Sequence, residues 1–211
     1  MKRFWKTVAV DADRVVTLDG RPVRTSGRRP LALPNDALAE AIAAEWRAVG
    51  EELDPRAMPL TGLANAAIDR VAPDPHAFAA GLARYADIDL LYYRADKPAP
   101  LAERQAAAWD PLLDWARRRY DVHFEPTTGV MHRAQPPATV ARLGEAVAAL
   151  APFPLAALSP VVTLTGSLVA ALALAEGAAD ADTVWNAAHV DEDWQAQLWG
   201  CLLYTSPSPR D

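Results

Sequence analysis

The sequence predicts an α+β protein in which a small β-rich N-terminal domain precedes a larger all-helical domain. Short β-prone runs and a hairpin signal occupy the beginning of the chain. From about residue 61 onward, apolar residues recur at helical spacing instead. The chain has 211 residues, of which 51% are hydrophobic, and this is enough to bury a core in one domain or in two small ones.

The N-terminal strands are predicted to meet at a hairpin. Asp19-Gly20 lies between the β-prone runs Val15–Leu18 and Arg21–Thr25, and both turn residues suit the positive φ of a two-residue turn. Pro22 has no N–H to donate to a sheet. The returning strand should therefore lie at a sheet edge.

A first helix should follow these strands. Asn35 is suited to cap its N-terminus, and apolar side chains recur at helical spacing until Gly50 supplies a stop signal. Residues 51–60 contain two prolines and are predicted to form a linker. We therefore expect a β-rich domain with a first helix over residues 1–50 and a helical domain over residues 61–200.

Two Asp-Pro pairs punctuate the predicted helical domain. Asp74-Pro75 and Asp110-Pro111 each combine a capping residue with a proline suited to the first helical position. We expect the second pair to end one helix and to begin another. The remaining predicted elements are a loop with one short strand over residues 121–137 and helices near residues 138–150, 160–176 and 181–199.

Charge is unevenly distributed along the chain, whose formal net charge is −6. Residues 1–33 hold eight Lys or Arg and three Asp, a net charge of +5 that leaves −11 for the remainder. Residues 143–200 contain seven Asp or Glu and no Lys or Arg. This acidic stretch is either a solvated face or a surface for a basic partner. The negative charge opposes binding to a phosphate backbone, so no nucleic-acid partner is expected.

The sequence indicates a reducing compartment, with the cytoplasm as the expected location. Cys201 is the single cysteine, so no internal disulfide can form. Lys2 and Arg3 are followed by Lys6 without the apolar run of a secretory signal. The most apolar stretch, Val161–Ala175, is shorter than the roughly 20 residues that a bilayer demands, so no membrane insertion is expected.

The sequence offers little support for catalysis. It contains no glycine-rich phosphate loop, and its four histidines are dispersed, so no cofactor and no metal site are expected. Ser167 beside Gly166 is interpreted as a small packing residue within an apolar helix. His189 lies three residues before Glu192 on one helical face. The alternative to a binding protein is therefore a small-molecule hydrolase that uses His189 with Asp191 or Glu192.

Tryptophan is unusually abundant, with seven residues against four phenylalanines. Core anchoring explains most tryptophans in a globular protein, although tryptophan is also enriched at interfaces. Trp194 stands beside Asp191 and Glu192 in the acidic stretch. We interpret these three residues as the predicted partner-binding site.

A series of ordered motifs spans residues 2–200. They include Lys2–Lys6, Leu18–Thr25, Met58–Thr61, Leu63–Asp69, Asp89–Leu91, Tyr93-Arg94, Gln105, Trp109–Pro111, Gly166-Ser167 and Val190–Gln195. Together they resemble the ATP synthase assembly factor family that chaperones the alpha subunit, which is found in mitochondria and in alphaproteobacteria.

The resemblance implies a two-domain protein without catalytic activity of its own. Such a chaperone binds the newly made alpha subunit of the F-type ATP synthase and prevents its aggregation until the beta subunit replaces it. It is expected to act as a monomer, in the cytoplasm here and in the mitochondrial matrix for eukaryotic relatives. No ATP is required, because release needs only a better-competing beta interface.

Five polar residues lie within otherwise apolar motifs of this resemblance: Asn65, Asp69, Asp89, Arg94 and Gln105. A buried polar group without a partner costs roughly 1 to 3 kcal/mol, so these side chains should find partners at the edge of the core. We expect a structural polar network in which Arg94 bridges Asp69 or Asp89.

The sequence departs from the resemblance at its end. Members of the family continue beyond the Trp199-Gly200 pair with an acidic segment and a further helix. Residues 201–211 instead look like a translated sequencing-adapter remnant, and we expect them to be a non-native tail.

Overall fold

The structure, a computed structural model, describes residues 2–199, and the predicted tail over residues 201–211 lies outside these described residues. The chain divides into two compact units. The first contains the residues up to Ala80 together with Ala148–Ser159, and the second contains Gly81–Val147 and the residues from Pro160 onward. The predicted α+β class is confirmed.

The first unit contains a three-stranded antiparallel sheet. Its strands follow each other in the order β1 (Val8–Val10), β2 (Val16–Leu18) and β3 (Arg21–Pro22). Asp19 and Gly20 adopt φ values of 48° and 78°, which suit a two-residue hairpin turn. Pro22 lies in β3 at the sheet edge, opposite Thr17. Both the predicted hairpin and the predicted edge position are confirmed.

The helices of the first unit begin with α1 (Asp36–Ala48). Asn35 caps it as predicted, because the Leu38 N–H donates to Asn35 Oδ1 at 2.8 Å. A 3₁₀ turn (Pro55–Ala57) leads to α2 (Pro59–Ala66), which continues as a π-helical turn (Ala67–Val71). The buried core residues of this unit include Trp5, Val16, Leu31, Ile42 and Trp46.

Glu45 of α1 holds the beginning of α2. Its carboxylate accepts the Leu60 N–H at 2.8 Å, and it accepts the N–H and hydroxyl of Thr61 at 2.8 and 2.7 Å. These bonds satisfy donors that a helix N-terminus otherwise leaves free. They connect α1 directly to α2, across the segment that the sequence predicts to be a linker.

Asp69 fastens the π-helical turn to the loop after β3. Its carboxylate accepts the Thr25 hydroxyl and the Gly27 N–H, each at 2.7 Å. These hydrogen bonds lower the pKa of Asp69, the Thr25 bond most of all. The first compact unit therefore continues to Ala80, whereas the sequence places the domain boundary at residue 60.

The second unit is mainly helical and contains one parallel pair of two-residue strands, β4 (Tyr93–Arg94) and β5 (Thr127–Thr128). A 3₁₀ turn (Leu90–Tyr92) precedes β4. Three helices have residues in both units: α3 (Pro75–Ala83), α6 (Pro137–Ala148) and α7 (Pro152–Thr165). The other helices among the described residues of the second unit are α4 (Tyr85–Ile88), α5 (Ala99–Tyr120), α8 (Leu168–Ala175), α9 (Ala181–Ala188) and α10 (Val190–Trp199).

The long helix α5 corrects one prediction. The sequence predicts that Asp110-Pro111 divides this segment, but the helix runs through Pro111 without ending. Proline costs one backbone hydrogen bond here, while Trp109 and Leu113 on either side are fully buried. Packing of α5 against α8, α9 and α10 outweighs that loss.

The other Asp-Pro pair behaves as predicted. Asp74 caps α3, because its side chain accepts the Ala77 N–H at 3.0 Å.

Two predicted helices are each divided in the structure. The helix expected over residues 160–176 breaks at Gly166, whose φ of 66° is left-handed. Ser167 then caps α8, because its Oγ accepts the Ala170 N–H at 3.0 Å. Ser167 is therefore a capping residue and not a packing residue inside a helix. The helix expected over residues 181–199 breaks at His189, between α9 and α10.

Among the described residues, no helix combines the length and the apolar composition that crossing a bilayer requires.

The Asp69 contact generates a prediction about Gly27. A Cβ at Gly27 would lie 2.6 Å from Asp69 Oδ1, so Gly27→Ala must displace this carboxylate from its donors. We expect Gly27→Ala to lower the thermal unfolding midpoint by about 3 °C. In an Asp69→Ala background it should have almost no further effect. Unfolding followed by circular dichroism checks this, and two fully additive effects would contradict it.

Candidate functional site

A groove of about 520 Å³ lies in the second unit. Its walls come from the segment around β4, from α5, from the turn after β5 and from α10. We call it the α5/α10 groove; its lining residues are Leu90, Tyr93–Asp96, Leu101, Gln105, Gly129, Val130, Asp191 and Gln195. Three residues singled out from the sequence, Arg94, Gln105 and Asp191, therefore meet here.

Gln105 lines the groove and is only 2% exposed. Its Oε1 accepts the Ala95 N–H at 2.7 Å, and its Nε2 donates to Asp191 Oδ1 at 2.7 Å. The backbone donor on one side and the carboxylate on the other allow only this orientation of the amide. One buried side chain thus holds the segment after β4 and the first turn of α10 in register.

Arg94 is bound within the second unit, and the bridge expected from the sequence is wrong. Its Nη2 donates to Asp110 at 2.6 Å, and its guanidinium carbon lies 5.0 Å from the centre of the Trp109 ring. Burial lowers the pKa of Arg94, and the nearby Asp110 carboxylate opposes that effect. Asp110 reaches Arg94 from α5, whereas Asp69 belongs to the first unit and Asp89 is satisfied by backbone donors.

Asp89 is fully buried at the N-terminus of α8. Its carboxylate accepts the Leu91 N–H at 3.0 Å and the Val169 N–H at 2.9 Å. Burial raises the pKa of Asp89 to about 6, although these hydrogen bonds act in the opposite direction. Asp89 therefore joins α8 to the 3₁₀ turn that precedes β4. Leu90 of this turn lines the groove.

The predicted five-residue network does not form as one assembly. Arg94 and Gln105 line the α5/α10 groove, and Asp89 lies behind its wall. Asp69 binds Thr25 and Gly27 in the first unit, and Asn65 lies half-buried in α2.

The three predicted partner-binding residues of α10 have different surroundings. Asp191 is half-buried on Gln105, whereas Glu192 is exposed. Trp194 is half-buried, with the guanidinium carbon of Arg104 4.8 Å from its ring centre. Within residues 2–199, no Lys, Arg or His nitrogen lies within 4.0 Å of the carboxylate of Asp191 or Glu192.

His189 is engaged by its own helix. Its ring stacks on Trp185 at a centroid distance of 3.9 Å, and its Nδ1 lies 2.8 Å from the Trp185 carbonyl oxygen. In the described residues it makes no ion pair with Asp191 or Glu192. The described residues also contain no group of three or more His, Cys, Asp or Glu arranged to hold a metal ion.

Two exposed apolar residues beside the groove were not predicted from the sequence. Val130 is 92% exposed and Met131 is 79% exposed. Val130 lines the groove immediately after Gly129, whose φ of 86° turns the chain at the end of β5. Two adjacent apolar residues in a loop with several prolines were the available signal, since exposed apolar surface often marks an interaction site.

Comparison with known proteins gives concordant results. Residues 2–117 match the sequence profile of a family described as ATP12 chaperone protein. A point mutant of Atp12p from Paracoccus denitrificans is 47% identical, with a TM-score of 0.91 over 94% of this chain and 86% of that chain.

Two further solved structures are similar. Atp12 from Paracoccus denitrificans is 48% identical, with a TM-score of 0.90 over 94% of this chain and 87% of that chain. The Atu1473 protein from Agrobacterium tumefaciens is 42% identical, with a TM-score of 0.88 over 94% of this chain and 76% of that chain.

Asp89 generates a prediction about the pH dependence of stability. Its pKa is about 6 in the folded chain and 3.8 by reference, so the folded state holds the proton more tightly. Its contribution to the free energy of unfolding is fully present below pH 3.8 and is lost as the pH rises to about 6. The asparagine of Asp89→Asn has no carboxyl group, so it makes no such pH-dependent contribution to stability.

The stability difference between wild type and Asp89→Asn should therefore decrease across that window and then level off. Urea unfolding of both proteins, from about pH 4 to about pH 8, measures this difference. A difference that stays constant or increases with pH would show that the buried carboxyl is not shifted upward.

Proposed function

This chain belongs to the ATP12 chaperone protein family, and from that premise we propose that it is an assembly chaperone for the F-type ATP synthase. Its client is the free alpha subunit of the catalytic head. The chaperone covers surfaces that the alpha subunit will later bury against its neighbours, and the beta subunit then replaces it. Covering exposed apolar surface in this way prevents wrong association.

We infer that the activity is binding and not catalysis. The hydrolase alternative requires His189 to act with Asp191 or Glu192, but His189 is held by Trp185 and Asp191 is held by Gln105. Among the described residues His189 forms no ion pair with Asp191 or Glu192, so the acid–base pair that a hydrolase would need is not assembled. The chaperone is expected to need no cofactor, metal ion or nucleic acid and to work as a monomer in the cytoplasm.

The surface around α10 is the main structural support for this proposed binding function. Asp191 is fixed in an open groove, and the exposed Glu192 follows it in the first turn of the helix. Exposed apolar Val130 and Met131 lie at and beside the same groove. A surface that joins carboxylates to exposed apolar side chains suits a client with a mixed polar and apolar interface.

Trp194 has a supporting role in this proposal. Arg104 of α5 lies over its ring, and the same Arg104 donates to Gln197 at 2.7 Å. The cation and the aromatic face attract each other and help to fix α10 against α5. Trp194 therefore stabilises the helix that presents Asp191 and Glu192, and its half-buried ring offers only one side to a client.

Charge reversal on α10 tests the proposal. Glu192→Lys should weaken capture of purified alpha subunit by about tenfold, because it puts a positive charge where the client meets a carboxylate. Asp182→Lys is the matched control: Asp182 is also an exposed acidic residue in the first turn of a helix, α9. It should leave capture unchanged. Pull-down with equal amounts of folded variant measures both.

Two results would distinguish a wrong client-binding residue from a wrong proposed function. Equal capture by wild type and Glu192→Lys would remove this residue from the client surface. If wild-type protein does not suppress aggregation of alpha subunit in the absence of ATP, the proposed function itself is wrong.

A further inference from the structure

We propose that the α5/α10 groove receives a client segment that carries a basic side chain next to an apolar one. The basic group pairs with Asp191, and the apolar side chain packs against Leu101 and Val130. This inference rests on the proposed function and specifies the chemistry by which the client is recognised.

The charges of the groove select a cation. Asp96 and Asp191 both line it, and no Lys, Arg or His nitrogen of residues 2–199 lies within 4.0 Å of either carboxylate. Arg94 also lines the groove; its Nη2 pairs with Asp110 at 2.6 Å, and its Nη1 is buried without a hydrogen-bond partner among the described residues. Two carboxylates that lack an ion-pair partner among the described residues make this concave wall attractive to Lys or Arg.

Gln105 prepares Asp191 for this partner. The amide donates a neutral hydrogen bond to Asp191 Oδ1, so the carboxylate is held in place without an ion pair to any of residues 2–199. A group that is already ordered loses less entropy on binding. Gln105 is thus a positioning residue, and Asp191 is the residue that meets the client.

The apolar part of the groove sets the second requirement. Leu90, Leu101 and Val130 line it, and Val130 is 92% exposed. Burying such a side chain under a client's apolar group removes apolar surface from water, which is favourable. A basic residue alone would leave this surface uncovered, which is why the expected segment pairs the cation with an apolar neighbour.

Other cations fit the groove less well. Two carboxylates do not make a complete site for Ca²⁺, which takes about six to eight oxygen ligands. The described residues contain no set of three potential metal ligands. The groove volume of about 520 Å³ is instead in the range of sites that enclose a small ligand or a short part of a chain.

Photo-crosslinking tests the location. A benzophenone amino acid replaces Val130, and in a control variant it replaces Leu164, a residue of α7 in the second unit that is 75% exposed. Purified alpha subunit is added and the samples are irradiated. We expect a crosslink from position 130 and little from position 164, with the crosslinked client peptide containing Lys or Arg beside an apolar residue.

Asp191→Asn tests the charge, because asparagine Oδ1 still accepts from Gln105 while the negative charge is lost. Alpha-subunit binding should weaken about tenfold, and its dependence on salt concentration should become shallower. Val130→Ser should weaken binding without changing that salt dependence. Unchanged affinity and salt dependence in Asp191→Asn would overturn the ion pair.

The remaining outcomes identify other occupants. Crosslinks from position 130 to a second copy of this chain, or to another part of the same chain, would overturn the inference. If wild type captures alpha subunit but position 130 gives no crosslink to it, the groove inference fails and the proposed function stands. If wild type captures no alpha subunit, the function itself fails.

Discussion

The second unit depends on one buried amide. Gln105 accepts the Ala95 N–H and donates to Asp191, so a single side chain from the first half of α5 fixes a strand segment and a second helix. One turn further along α5, the Trp109 indole donates to the Ala187 carbonyl at 2.7 Å and anchors α9 in the same way. Buried polar groups that are fully paired restrict how helices can meet. The position of the Asp191 carboxylate follows from this restriction.

Helix termini supply the other constraints. Asp89 at α8 and Glu45 at α2 both accept N–H groups that the helix cannot satisfy itself. Carboxylates at helix N-termini are stabilised by the helix dipole and by hydrogen bonds from several donors at once. The first unit uses this device to hold α2 against α1, and the second uses it to hold the segment that precedes β4.

The sequence was sufficient where a local rule decides the structure. Asp19-Gly20 requires a tight turn, and Asn35 and Asp74 cap helices through their own side chains. It was insufficient where distant packing decides. Pro111 stays inside α5 because its neighbours are buried. The sequence predicts that Arg94 bridges Asp69 or Asp89, but its partner Asp110 is 16 residues away and is brought close only by the fold. The groove likewise assembles from four separate segments, which no spacing in the sequence reveals.

We propose the α5/α10 groove as the client surface and Gln105 as the residue that keeps it assembled. Hydrogen–deuterium exchange on the free chain and on its complex with alpha subunit tests both parts of this proposal. We expect binding to slow exchange at residues 93–96 and at the N-terminus of α10 and to leave the sheet β1–β3 unchanged. Protection confined to β1–β3, with no change around Asp191, would contradict it.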